Sequence, residues 1–167
     1  MSHSLKKLVF TVVAGVGCLG GAIAGVAASA GAQPAQSQAL VLNASLAPSL
    51  PSYSAIYGVS PGGAPWLLQA GHVVLGAGGH LNAVVTGLVL AKTSANPIPA
   101  IAASVYCNGA LAATTAPVPF STAGNAHVRA TLALPTPCLV PAVLLTIRPA
   151  TTTATKKTVY IAFDGTN

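Results

Sequence analysis

The stretch 107–138, bounded by Cys107 and Cys138, constrains this chain more than any other. It reads C-N-G-A-L-A-A-T-T, then A-P-V-P-F-S-T-A-G-N-A, then H-V-R-A-T-L-A-L-P-T-P-C. Two short apolar runs meet at Asn108-Gly109, a dipeptide that readily takes the positive φ angles of a two-residue hairpin turn. Pro117 and Pro119 cannot donate ladder hydrogen bonds, so 118–120 reads as an edge strand or a crossover. Residues 126–134 then alternate, with Val128, Ala130, Leu132 and Leu134 on the inward side and His127, Arg129, Thr131 and Ala133 outward. Short period-2 runs broken by proline and glycine predict antiparallel β-structure.

The N-terminus reads as an address. Residues 1–7 carry Lys6 and Lys7, and 8–28 carry no charge. Ala28-Ser29-Ala30 and Ala30-Gly31-Ala32 both fit the A-x-A rule, which predicts a signal peptide over 1–32 cut after Ala32, with Ala30 as the second choice. An uncleaved anchor is the alternative, since the apolar run is long enough to span a bilayer. Gly15, Gly17, Gly20, Gly21 and Gly25 make it a weakly hydrophobic span. Cys18 follows Gly15-Val16-Gly17, which lacks the leucine that usually opens a lipidation motif, so it reads as a small residue within the apolar run. The expected location is secreted or extracellular, with no stable membrane insertion after cleavage.

That leaves Cys107 and Cys138. Two cysteines in an exported chain pair with each other. Closing a loop of about 30 residues stabilises by roughly 3–4 kcal/mol in the chain-entropy account. Zinc is the competitor, but there is no C-x-x-C and no neighbouring histidine pair. A reactive thiolate is disfavoured by an oxidising compartment.

Strands are expected at 40–46, 66–75 (with a bulge or bend at Gly71), 80–90, 100–107, 110–115, 118–120, 126–134, 142–147 and 158–163. The 66–75 and 80–90 pair forms a hairpin across Gly76-Ala77-Gly78-Gly79. Residues 100–107 are apolar except Ser104, as a strand buried on both faces would be. Residues 47–65 hold four prolines and read as an irregular connection. No capped amphipathic helix follows the signal. The predicted fold is therefore all-β, an antiparallel β-sandwich, immunoglobulin-like in the broad sense, with a barrel as runner-up. The expected organisation is a signal peptide at 1–32, a polar, proline-rich segment at 33–60 and the β-sandwich domain at 61–167.

Composition narrows the chemistry. Charged residues make up 5% of the chain, against about a quarter in a typical soluble domain, so surface polarity must come from Ser, Thr, Asn, Gln and the backbone. After residue 32 there are five cations (Lys92, Arg129, Arg148, Lys156 and Lys157) and one carboxylate side chain, Asp164. Glycoside hydrolysis by paired carboxylates needs two acids, and oxygen-ligand calcium or two-metal sites need several. Five scattered cations do not make the basic, aromatic-interleaved patch of a nucleic-acid binder. There is no G-x-S-x-G elbow for a hydrolase triad. No catalytic residues and no cofactor are assigned.

Two binding ideas survive as minor candidates. Tyr53, Tyr57 and Trp66 lie close together in sequence and could stack on a sugar ring, although aromatics so placed more often cover the end of a core. His72, His80 and His127 could gather at a metal. His72 and His80 sit on the two arms of one hairpin and could face each other, but their spacing matches no ligand signature. A blue-copper site would also want a methionine, and Met1 is the only one.

From Pro61 onward the blocks P-G-G-A-P-W, A-S-V-Y-C-N-G, A-T-T-A-P-V-P-F-S-T-A-G-N-A, L-P-T-P-C, P-A-V-L-L and Y-I-A resemble small secreted proteins of unassigned function from high-GC bacteria. The resemblance covers about two-thirds of the chain. It implies an exported one-domain protein and transfers no functional residues. The expected function is a non-enzymatic structural or surface-interaction role toward an unknown extracellular or cell-envelope partner. A ligand-binding module for carbohydrate or metal is the alternative.

Overall fold

The computed structural model describes residues 39–147 and 157–164. The expected signal peptide at 1–32 lies outside the described residues. Twelve strands run in order: β1 (Leu40–Pro48), β2 (Ser60–Pro61), β3 (Trp66–Leu67), β4 (Ala70–Gly76), β5 (His80–Thr86), β6 (Val89–Leu90), β7 (Ala100–Cys107), β8 (Ala110–Thr114), β9 (Val118–Pro119), β10 (Ala126–Thr131), β11 (Ala142–Ile147) and β12 (Val159–Asp164). The chain is all-β, and among the described residues no helix is long and apolar enough to cross a membrane.

Ten strands make one curled sheet, half a barrel in shape, ordered β10-β5-β4-β1-β12-β11-β7-β8, with β2 on β12 and β9 on β7. Pairing is antiparallel except for β2 with β12. The curl turns on β1. Its first part pairs with β4 through Asn43↔Val74 and Ser45↔His72. Its last three residues pair with β12 through Leu46↔Asp164, Ala47↔Phe163 and Pro48↔Ala162. A strand that changes partner in this way makes a corner between two arms of a sheet. The sheet therefore includes residues upstream of the expected domain start at 61, and the segment expected to be a polar lead-in supplies a central strand.

Gly71 has a different role from the one its sequence suggests. The β4–β5 ladder runs through it without a bulge, as Ala70↔Thr86, Gly71↔Val85 and His72↔Val84. A Cβ built there would stand 2.9 Å from the Leu46 Cβ. The glycine lets β1 close on β4 at the corner, a close-approach use of the residue. The expected 66–75 strand breaks instead between Leu67 and Ala70, and the expected 80–90 strand breaks at Gly87, whose φ is 64°.

One core fills the concave side. Val73 and Leu75 from β4, Leu81, Ala83 and Val85 from β5, and Val128 from β10 meet Ile101, Ala103 and Val105 from β7, Val143 and Leu145 from β11, and Ile161 from β12. The period-2 pattern on β5 is complete: its odd-numbered positions are buried and its even-numbered ones exposed. Trp66, Leu88 and Phe120 extend the core beyond the ten-stranded sheet. Buried Asn96 ties two loops together there. Its Nδ2 donates to the carbonyls of Ile98 at 2.7 Å and Ser121 at 2.9 Å, and its Oδ1 accepts from the Ile98 N–H at 2.9 Å.

The convex side of the other arm is also apolar. Tyr106, Leu144 and Tyr160 are buried there under Ile56 and Val59. That second cover is why β7 reads as apolar on both faces. The 47–65 segment, which the sequence presents as an irregular connection, is the cover.

Cys107 ends β7 and bonds to Cys138, with Cα atoms 4.9 Å apart. Asn108 and Gly109 take φ of 56° and 78°, the paired positive values of a type I′ turn. The Asn108 side chain then holds the far loop, accepting from the Leu139 N–H at 3.0 Å and donating to the Pro137 carbonyl at 3.1 Å. Replacing both cysteines with alanine is expected to lower stability by about 3–4 kcal/mol while the β-sheet circular dichroism signal persists. A urea titration with an unchanged midpoint would refute a structural role for the bond.

Candidate functional site

Register decides what the outward histidines can do. His72 on β4 stands opposite Val84 on β5, and His127 on β10 stands opposite the same Val84 from the other side. His80 pairs with Thr131. His72 and His80 therefore do not face each other across their hairpin. Among the described residues, no group of three His, Cys, Asp or Glu side chains could hold a metal ion.

What the register does assemble is a polar face on β5 and β10. Asn82 is directly opposite Arg129, one row from His127 on one side and one row from His80 and Thr131 on the other. Arg129 Nε donates to His127 Nε2 at 2.7 Å. The His127 ring thus accepts at Nε2 and carries its proton on Nδ1. Asn82 Oδ1 lies 2.6 Å from the same Nε2, and a ring nitrogen that accepts from Arg129 cannot also donate to that oxygen. The Thr131 hydroxyl is 3.1 Å from His80 Nδ1. An open depression of about 440 Å³ is lined by His80, Asn82, Arg129 and Thr131. The sequence had placed His127, Arg129 and Thr131 outward together. The signal that unites them with Asn82 and His80 is cross-strand register, which alternation within one strand does not carry.

The three candidate sugar-stacking rings are not gathered on one surface. Trp66 is buried and stacks against Phe120, with ring centroids 6.5 Å apart. Tyr53 and Tyr57 keep 42% and 40% exposure. Tyr57 lies flat on Tyr106, with centroids 4.5 Å apart and planes 12° apart. Tyr53 meets Phe163 edge-on at 6.1 Å. The Tyr160 hydroxyl donates to the Ser54 carbonyl at 2.9 Å and anchors the same cover. Burial raises the phenol pKa of Tyr106 and Tyr160 above the ordinary value, and neighbouring Tyr57 and Tyr53 add to the respective shifts. Such phenols stay protonated across the physiological range and act as packing groups with a polar tip.

Two further features had no sequence signal. The Ser49 side chain is fully buried and its Oγ has no hydrogen-bond partner among the described residues. Leu111, Leu139 and Val140 are 58%, 58% and 78% exposed. All three lie near the Asn108-Gly109 turn, Leu111 on the edge strand β8 and Leu139 and Val140 on the β11 side of β7.

Asp164 is half-buried at the end of β12, where its Oδ1 accepts the Val143 N–H at 3.0 Å. Desolvation pushes its pKa above the ordinary carboxylate value of 3.8, outweighing the backbone hydrogen bonds from Val143 and from its own N–H that lower it. A carboxyl whose folded pKa is raised binds more protons in the native state than in the unfolded one. Stability therefore falls as pH rises from about 3.8 through the raised value. Asp164→Asn keeps the acceptor for Val143 and removes the charge. The expected result is a higher Tm than the parent at pH 7, with the gap closing below about pH 3. An equal gap at both pH values would show that ionisation is not the cause.

No protein-family model matches the chain, and comparison with curated proteins and with solved structures returns no match.

Proposed function

We propose that this chain is an exported, non-enzymatic β-domain that presents a rigid surface to a partner outside the cell or in its envelope. The observation that carries the reading is the Cys107–Cys138 bond, since a structural disulfide suits an oxidising, extracellular compartment. The signal-like residues 1–32 and the resemblance to small secreted proteins of high-GC bacteria support it. The two arms of the curled sheet, joined through β1, are read as the two layers of a sandwich. The single carboxylate side chain after residue 32 supports a non-catalytic role, because paired-acid chemistry has no second member.

The interacting surface in this reading is the disulfide end. Exposed apolar side chains beside an unpaired strand edge favour association. Leu111 supplies such a side chain on the edge strand β8, and Leu139 and Val140 add exposed apolar side chains across the Asn108-Gly109 turn, on the β11 side of β7. A carbohydrate-binding module is the second reading. It rests on the part-exposed rings of Tyr53 and Tyr57, and it requires that Tyr57→Ala abolish sugar binding without unfolding the cover.

Intact-mass measurement of the exported protein tests the first reading. The expected species begins at Gln33 or Gly31, and both thiols resist alkylation until reduction. A retained N-terminus, or thiols that alkylate without reduction, would overturn it. Fractionation tests the surface: Leu139→Ser with Val140→Ser should move the protein from the envelope to the medium, and an unchanged distribution would remove the apolar patch from the proposal.

A further inference from the structure

We infer that the outward face of β5 and β10 is a binding site for a phosphate group, built on Arg129 with His80 and Asn82. The inference goes beyond the export reading, and its test requires neither secretion nor a protein partner.

The first support is an imbalance of charge that the chain cannot correct internally. Its one acidic side chain is Asp164, which sits on β12, four strands from Arg129 along the sheet, and is bonded to the Val143 N–H. Among the described residues Arg129 therefore has no carboxylate partner. A second copy of this chain offers the same single acidic side chain, already engaged. An anion from a different molecule would complement this face.

The second support is the order of the donors. Arg129 uses Nε on His127 Nε2, which fixes the plane of the guanidinium and leaves its two Nη groups free of hydrogen bonds to described residues. That pair forms a fork suited to an oxyanion. In the next row, the Thr131 hydroxyl bonds to His80 Nδ1. When Nδ1 accepts, the proton of the neutral ring sits on Nε2, which is then a donor. The two rows are two residues apart on the same face, about 7 Å along the strands. An anion between them takes hydrogen bonds of about 2.8 Å from each row. Asn82, opposite Arg129, borders the same depression.

The third support is the geometry of the anion. A carboxylate on the guanidinium fork is planar, and its remaining lone pairs stay in the plane of the fork. A phosphate has oxygens in several directions and can accept from both rows at once. A single phosphate, or one repeat of a phosphodiester chain, suits the open depression of about 440 Å³. Free phosphate and a phosphodiester polymer share this chemistry, and the two probes below separate them.

The test is a two-dimensional amide NMR titration of the purified domain at fixed ionic strength, so that simple screening is held constant. The probes are inorganic phosphate and a short glycerol-phosphate oligomer, with sodium acetate as the carboxylate control. Expected are saturable shifts at His80, Asn82, Arg129 and Thr131, with Kd on the order of 1–10 mM for one phosphate. Tighter binding of the oligomer identifies a polymer source; equal or weaker binding identifies the free ion. Arg129→Gln should weaken binding about tenfold or more, as expected for loss of a charge-assisted pair, and leave Tm unchanged. His80→Phe, which removes the second row, should reduce the preference for phosphate over acetate. Absence of saturation with both probes, saturation by acetate at equal affinity, or undiminished binding to the Arg129→Gln variant would each overturn the inference.

Discussion

The fold depends on the corner in β1. Up to Ser45 this strand belongs with β4, and from Leu46 it belongs with β12. Without that change of partner the two arms of the ten-stranded sheet would not curl toward each other, and their residues could not share one core. The corner is possible because Gly71 has no Cβ where the Leu46 side chain approaches. A methyl group there would push β1 off β4 at the point where the sheet must turn. Ser49 follows immediately, with its N–H on the Ile161 carbonyl and its carbonyl accepting from Trp66. The corner is therefore tied to both the core strand β12 and the end plug. Its buried, unpaired hydroxyl is a local cost that the two backbone bonds offset.

The same arrangement explains the second apolar layer. A sheet arm that carries Tyr106, Leu144 and Tyr160 on its convex side cannot leave that side to water in a chain with so few charges. The 47–65 segment covers it, held by the Tyr57–Tyr106 stack, the Tyr53–Phe163 contact and the Tyr160–Ser54 hydrogen bond. The other arm needs no such cover, because its convex side carries His72, His80, Asn82, His127, Arg129 and Thr131. One arm is thus closed on both faces and the other is wet on one, a difference in side-chain chemistry between strands of one continuous sheet.

Much of this was legible in the sequence. The strands over 40–46, 100–107, 110–115 and 142–147 announce themselves by period, by β-branched content and by the flanking Asn-Gly, Pro and Gly residues. The inward sets on β5 and β10 follow from alternation. What was not legible follows from contacts distant in sequence. Nothing local marks Leu46 as the residue where β1 changes partner. Gly71 signals a special backbone, and only the packing of Leu46 tells a close approach from a bulge. Tyr53 and Trp66 are near neighbours in sequence, yet the corner sends one to the convex cover and the other to the concave core. The histidine pairing failed for a related reason: a hairpin with a three-residue connection sets His72 opposite Val84, and only the register with β10 shows what His80 meets.

Charge scarcity has its largest consequence at the edges of the sheet. An unpaired strand edge invites association unless charge, proline or a cover blocks it. β10 carries Arg129 and His127. The short β9 is bracketed by Pro117 and Pro119. β8 has neither device, and its Leu111 faces water. The turn at the end of this strand is also constrained, with the disulfide, the type I′ turn and both side-chain bonds of Asn108 within a few residues of one another. A strand edge held this firmly loses little conformational entropy when a partner binds, so a modest apolar area there can support association that the same area on a loose loop could not.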